Sequence, residues 1–169
     1  MLTVNQKKYL ATLPLDKVAK VKPFDKKAKI TAEKIIAEIK AKIPELIVLF
    51  MGSTALEIAG QNDIDLHILS RPEEFSDYVP TLEKIFGKSN KTSPTLVKWE
   101  LVRNGFDVEL YLTDKNSAGL KEQEKTFELL QKNPDLKKEY EYIKTASNNL
   151  PFVEYMTKKY EFFNRILGL

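Results

Sequence analysis

The sequence predicts an α/β (α+β) fold, a mixed β-sheet flanked by helices with a helical C-terminal portion. Three observations carry this expectation. A lysine- and isoleucine-rich segment of helical period leads into a short apolar run that ends in glycine. An Asn-Gly dipeptide joins two β-rich runs near the middle of the chain, and the last third reads as helix. With 169 residues, 43% of them hydrophobic, the chain has the size of one domain over 1–169. Within it, residues 1–24 form a lead-in segment and residues 115–169 form C-terminal helices packed on the sheet.

Each element has its own signal. Residues 1–24 contain Pro14 and Pro23 and sustain no period, which leaves room for a short helix or an edge strand. From Lys26 to Lys42, isoleucines at 35, 36, 39 and 43 recur at helical spacing among lysines and glutamates, and Pro44 ends the run. Leu46 to Met51 is continuously apolar and is stopped by Gly52, the pattern of a strand buried on both faces. A second strand follows at Ile64 to Leu69. Ser70-Arg71-Pro72-Glu73 reads as a capping box opening a helix toward Phe86, which Pro80 is expected to kink or divide and Gly87 to close. Thr95 to Arg103 and Phe106 to Thr113 then flank Asn104-Gly105, a hairpin signal. Breaks at Asn133-Pro134 and from Asn148 to Pro151 divide the remainder into three helices.

Composition excludes several chemistries. The chain has no cysteine and one histidine, His67, so a Cys/His zinc site, a thiol nucleophile and a redox dithiol are all ruled out. Any metal must be held by oxygen. The N-terminal residues mix Gln6, Lys7 and Lys8 into the apolar ones, no later segment approaches a membrane span, and a cytoplasmic protein without a membrane partner is expected. The overall charge of +3 is unevenly spread: residues 1–42 hold eleven lysines against Asp16, Asp25, Glu33 and Glu38, a net of +7 that leaves −4 on the rest. Such a segment can steer a polyanion, or it can be simply the solvated face of a helix.

The informative stretch is Phe50-Met51-Gly52-Ser53 followed, eleven residues after Gly52, by Asp63-Ile64-Asp65-Leu66. Alternation along a strand puts Asp63 and Asp65 on one side and Ile64 and Leu66 on the other. Two carboxylates side by side repel unless a cation lies between them, and Mg²⁺ (or Mn²⁺) accepts carboxylate oxygens together with substrate phosphates. Gly52 allows close backbone approach to a triphosphate, and Ser53 and Thr54 offer hydroxyl and amide donors to it. A third carboxylate is expected from the hairpin, where Phe106, Val108 and Leu110 face one way and Asp107 and Glu109 the other. Glu109 is favoured, with Asp107 as its rival. A Gly-Ser turn, a solvated Asp-x-Asp pair or acids outside a hairpin each have ordinary structural explanations. Their combination in this order, on this framework, points to metal-dependent nucleotidyl transfer. His67 shares the face of the aspartates, either to contact phosphate and tune the acids or as a satisfied structural histidine. Trp99 and Tyr111 either stack a base or pair across the hairpin. Tyr140, Tyr155, Tyr160, Phe162 and Phe163 have the spacing of helix-packing residues.

Gly52-Ser53-Thr54-Ala55-Leu56 ahead of Asp63-Ile64-Asp65, with Phe127, Asn133-Pro134, Glu139-Tyr140, Lys144, Tyr155, Lys159, Phe162 and Ile166 behind, resembles the GrpB-like proteins of the nucleotidyltransferase superfamily. The likeness spans roughly residues 20–168, and Val21 to Asp25 looks like a weakened form of that family's opening strand and turn. It implies a mixed sheet of the DNA polymerase β nucleotidyltransferase type. The chain departs from the family at Glu57 to Asn62, where relatives carry a Pro-Gly turn and a lysine before the first aspartate. It has Asp107 and Glu109 where many relatives carry histidines. The resulting expectation is Mg²⁺-dependent transfer of AMP from ATP, or of another nucleoside monophosphate from its NTP, to an acceptor that is a small molecule, RNA or protein. Pyrophosphate is released. In this reading Asp63, Asp65 and Glu109 are the catalytic, metal-binding acids, and Gly52, Ser53 and Thr54 bind the nucleotide. A non-catalytic nucleotide- or RNA-binding module on the same fold is the alternative.

Overall fold

The computed structural model describes residues 1–169 and contains one five-stranded mixed sheet flanked by helices. In chain order the elements are α1 (Val4–Leu10), α2 (Lys26–Lys42), β1 (Ile47–Met51), α3 (Gly52–Leu56), β2 (Ile64–Ser70), a 3-10 turn (Pro72–Glu74), α4 (Phe75–Phe86), β3 (Lys91–Ser93), β4 (Leu96–Arg103), β5 (Phe106–Asp114), α5 (Ala118–Lys132), α6 (Pro134–Ala146) and α7 (Phe152–Leu167). The strand order is β1-β2-β5-β4-β3. β2 and β5 run parallel and all other pairs antiparallel.

Alternation divides the sheet into an apolar face and a polar one. Ile64, Leu66 and Ile68 of β2, Val108, Leu110 and Leu112 of β5, and Val97 and Trp99 of β4 bury against Ala32, Ile35 and Ile39 of α2 and Phe75 and Leu82 of α4. The intervening residues, Asp65, His67, Glu109, Tyr111, Lys98 and Glu100, project from the opposite face. The Asn104-Gly105 turn has positive φ at both residues, 53° and 82°, as a type I′ hairpin requires. Asp25 caps α2 by accepting from the Lys27 amide at 2.8 Å.

Three sequence expectations are corrected. β1 is an edge strand and not one buried on both faces: Ile47 is 58% exposed, and only β2 pairs with β1. An apolar run of this length does not distinguish a central strand from an edge strand whose one face packs on the core, as Val48 and Phe50 do here. α4 runs from Phe75 to Phe86 through Pro80 undivided, at the cost of the one backbone hydrogen bond that proline cannot donate. The cap ahead of it uses Glu74 and not Glu73: the Glu74 carboxylate accepts from Ser70 Oγ at 2.8 Å and from the Arg71 amide at 3.3 Å.

The C-terminal helices pack on one another and on α3. Leu130 of α5, Tyr140 of α6 and Phe162 of α7 enclose Leu56 and Ile58. The lead-in completes the frame. Leu10 and Ala19 pack on Phe152, Tyr155 and Met156, and Lys22 exchanges two backbone hydrogen bonds with Gly60 at 2.7 and 2.9 Å. Asn62 then ties Pro23 and Asp25 to the start of β2 through its side-chain amide.

Leu110 is fully buried at the centre of the sheet. Leu110→Ala is expected to lower unfolding free energy by about 3 kcal/mol, and Val102→Ala, at a 63% exposed position, by less than about 0.5 kcal/mol. Urea denaturation of both variants measures the difference.

Candidate functional site

The site forms where β1 turns into α3 beside β2 and β5. Met51 pairs with Asp65, and Asp65 pairs with Glu109, so the turn, the second aspartate and the hairpin glutamate share one level of the sheet. Gly52 has φ 83°, and a Cβ built there would lie 2.3 Å from Asp65 Oδ2. Only glycine allows the turn this close to the carboxylate. Asp63 precedes β2 and is held through its carbonyl, which accepts from Thr54 Oγ1 at 2.6 Å. The Thr54 hydroxyl is therefore committed to positioning Asp63. Of the two hairpin acids, Glu109 is the one in register with Asp65. Asp107 is exposed and pairs with Val102 toward the hairpin end.

The three acids differ in their surroundings. No hydrogen bond or ion pair within the protein ends on the carboxylate of Asp63 or Asp65. Burial first, then the charges of Asp63 and Glu109, push the Asp65 carboxyl up to about 7 against the pull of Lys159 and Lys144. Glu109 is satisfied: Oε1 accepts from Lys98 Nζ at 2.9 Å and Oε2 from the Tyr111 hydroxyl at 2.6 Å. Burial opposes the charge of its carboxylate, but these two donors hold its pKa below the usual value.

Two cations that the sequence offers only within the family resemblance, without a role at the site, lie beside it. Lys144 of α6 is 6% exposed and donates to the Tyr155 hydroxyl at 3.0 Å, with the Tyr140 and Tyr155 rings at 5.1 and 5.4 Å. Lys159 of α7 is half-buried, with its ammonium 5.5 Å from the centre of the Phe163 ring. Burial opposes its charge, and Tyr155 with Asp65, Tyr160 and Asp63 keeps its pKa above the ordinary lysine value. A Cβ on Gly60 would lie 2.2 Å from Ser53 Oγ and 3.6 Å from Lys144 Nζ, so this glycine, a serine hydroxyl and an ammonium converge at one place. The segment Glu57 to Asn62 has no lysine, and α6 and α7 bring two from elsewhere. Their signal in the sequence is the spacing Tyr140-x-x-x-Lys144, repeated as Tyr155-x-x-x-Lys159.

The remaining polar-face residues sort clearly. His67 is 8% exposed and stacks on Tyr111 with ring centroids 4.7 Å apart. Burial lowers its pKa to about 4, so it is neutral near pH 7, and its Nδ1 has no hydrogen-bond partner. Trp99 and Tyr111 do not pair across the hairpin: Trp99 is opposite Leu110 on the core face and donates to the Gly87 carbonyl at 2.9 Å. Tyr140, Phe162 and Phe163 do pack together as helix aromatics.

The donor set suits a hard divalent cation at Asp63 and Asp65. Only oxygen ligands are offered, the Asp65 carboxylate lacks an internal donor, and a Cβ at Gly52 would fill the cradle beside it. Glu109 already has a cation, so the three acids do not form a ready three-carboxylate metal cluster.

The sequence model for the family described as GrpB protein matches residues 18–168. The chain belongs to the GrpB family. Its membership accords with the resemblance carried by the Gly-Ser turn, the two aspartates and the C-terminal tyrosines and lysines. No curated protein matches this GrpB chain. Among solved structures, one that matches is of Cid1, in a study of how structural plasticity provides a basis for its RNA terminal uridylyl transferase activity. It has 14% identity and a TM-score of 0.45, and the match covers 80% of the GrpB chain and 45% of that chain. No helix of the GrpB chain is long and apolar enough to cross a membrane.

The raised pKa of Asp65 has a definite sign. A carboxyl that binds its proton more tightly in the folded chain contributes stability fully below its ordinary 3.8 and loses it as pH rises through about 7. Metal-free protein is expected to lose stability over that interval, and Asp65→Asn to show a shallower decline. Denaturant titrations in chelator across this pH range check the prediction.

Proposed function

We propose that this GrpB-family chain transfers a nucleoside monophosphate, AMP from ATP, to a hydroxyl or phosphate acceptor and releases pyrophosphate. The observation that carries the reading is the unpaired Asp63/Asp65 couple beside Gly52, next to the buried Lys144 ammonium that converges with Ser53 on Gly60, with the charge of Lys159 also acting on Asp65. A ligand that suits both sides brings positive charge to the aspartates and negative charge to the lysines. Mg²⁺ with a nucleoside triphosphate has that pattern, whereas a free anion meets the aspartates without compensation.

The roles follow from position. Asp63 and Asp65 hold Mg²⁺ (or Mn²⁺), which when bound neutralises phosphate charge and polarises the α-phosphoryl group. Gly52 leaves room for the phosphates beside Asp65, and Ser53 Oγ with Lys144 and Lys159 holds the triphosphate. Thr54 keeps Asp63 in place. Glu109 completes the acidic row as a fixed negative charge and orients the attacking hydroxyl. The acceptor hydroxyl releases its proton to solvent as its oxygen bonds to the α-phosphorus, the bond to the bridging oxygen breaks, and pyrophosphate departs toward the lysines. A cytoplasmic setting supplies the magnesium nucleotide.

With Mg²⁺ and α-labelled ATP, GTP, CTP or UTP, the protein is expected to move label from ATP in preference to the others. The acceptor pools offered are small metabolites, RNA and protein, and pyrophosphate forms in step with the transfer. Asp65→Asn is expected to lower the rate by at least about 100-fold without unfolding the chain. Tight retention of MgATP with no label transferred to any pool, and none lost in Asp65→Asn, favours a nucleotide- or RNA-binding module instead.

A further inference from the structure

The polar face carries a row of three acids on three neighbouring strands. Asp65 of β2 pairs with Glu109 of β5, and Glu109 pairs with Glu100 of β4. One step along the strands lies a second row, His67, Tyr111 and Lys98, in the same pairing. Lys98 reaches diagonally from the second row into the first. Its ammonium bonds the carboxylates of both Glu100 and Glu109 and stands 5.3 Å from the centre of the Tyr111 ring.

This lysine differs from every other paired cation in the chain. Its side chain is 18% exposed, whereas the lysines and arginines of the remaining ion pairs are 35% exposed or more. Its partner is equally fixed, since the second Glu109 oxygen is taken by the Tyr111 hydroxyl. The neighbouring Asp65 and Asp63, by contrast, have no cation within ion-pair distance. A divalent ion shared between Asp65 and Glu109 would share Glu109 with this ammonium, and like charges at such separations repel strongly in a partly desolvated site.

We infer that Lys98 is the resident cation of the third acid, so that the site takes one divalent ion, at Asp63 and Asp65, and the position of a second is filled by the lysine ammonium. This rests on the reading of Asp63 and Asp65 as metal ligands given above. It assigns Lys98 a positioning role: it keeps Glu109 charged, fixed and unavailable to metal. Removing the ammonium while keeping the aliphatic stem exposes Glu100, Glu109 and Asp65 to one another, and a second divalent ion relieves their repulsion.

Counting Mn²⁺ by the electron paramagnetic resonance signal of the free ion tests this, with Mn²⁺ alone as the probe. Wild type is expected to bind one ion per chain, Lys98→Met two, and Lys98→Met/Glu109→Gln one again, while Lys98→Arg keeps the wild-type count. Lys98→Gln is the second removal variant should Lys98→Met lose its native circular dichroism. Two ions in wild type, or no gain in a folded removal variant, overturns the inference even if the aspartate site stands. No ion in wild type with one gained on removing Lys98 supports the role of Lys98 and removes the aspartate site from the proposed function.

Discussion

The pairing of β2 with β5 is the constraint on which the rest of the structure depends. Ile64, Leu66 and Ile68 lie in register with Val108, Leu110 and Leu112, and all six are buried on one face. A shift of one residue would send these side chains to the polar face and bring Asp65 and Glu109 into the core, a change that hydrophobic burial strongly disfavours. The apolar register therefore fixes the acidic one. β1 then sets the height of Gly52 against Asp65 through the Met51 pairing, and the helices attach around this frame.

Against that rigid sheet the charges are arranged unevenly. Glu109 is paired with the Lys98 ammonium and accepts from the Tyr111 hydroxyl, whereas Asp63 and Asp65 are left without an internal partner. Lys144 and Lys159 lie on α6 and α7, helices whose own packing on Leu56 and Ile58 anchors them to α3. Lys144 has only the Tyr155 hydroxyl for a hydrogen-bond partner, although an ammonium has three donors. Unsatisfied charge of both signs on facing walls is costly to the folded chain on its own, and it is relieved by a ligand that brings the complementary pattern. The lead-in segment contributes by clamping the loop between the walls, through Lys22 to Gly60 and Asn62 to Pro23.

Much of this was legible in the sequence where the signal is local. The helix from Lys26 to Lys42 follows from isoleucine spacing and ends before Pro44. The hairpin follows from Asn104-Gly105, and the breaks between the last three helices follow from Asn133-Pro134 and Asn148 to Pro151. The shared face of Asp65 and Glu109 needed only alternation. What escaped the sequence depends on distance in space. That β1 is an edge strand is a matter of sheet order, and that Trp99 and Tyr111 face apart is a matter of register. Lys144 and Lys159 are separated from Gly60 by more than eighty residues of chain. Lys98 was missed for a related reason: strand alternation gives the face of a side chain but not its diagonal reach to Glu109 and Glu100.

In the proposed reaction the two aspartates make nucleotide binding depend on a cation. Calorimetric titration of ATP into the protein, in magnesium and again in chelator, for wild type and Asp65→Asn, tests it most directly. Wild type is expected to bind ATP far more tightly with magnesium than without. In Asp65→Asn the gap closes, because metal-free ATP gains affinity once the repelling carboxylate is gone and magnesium loses a ligand. Equal affinity of wild type for ATP in magnesium and in chelator would remove Asp63 and Asp65 as metal ligands for the nucleotide.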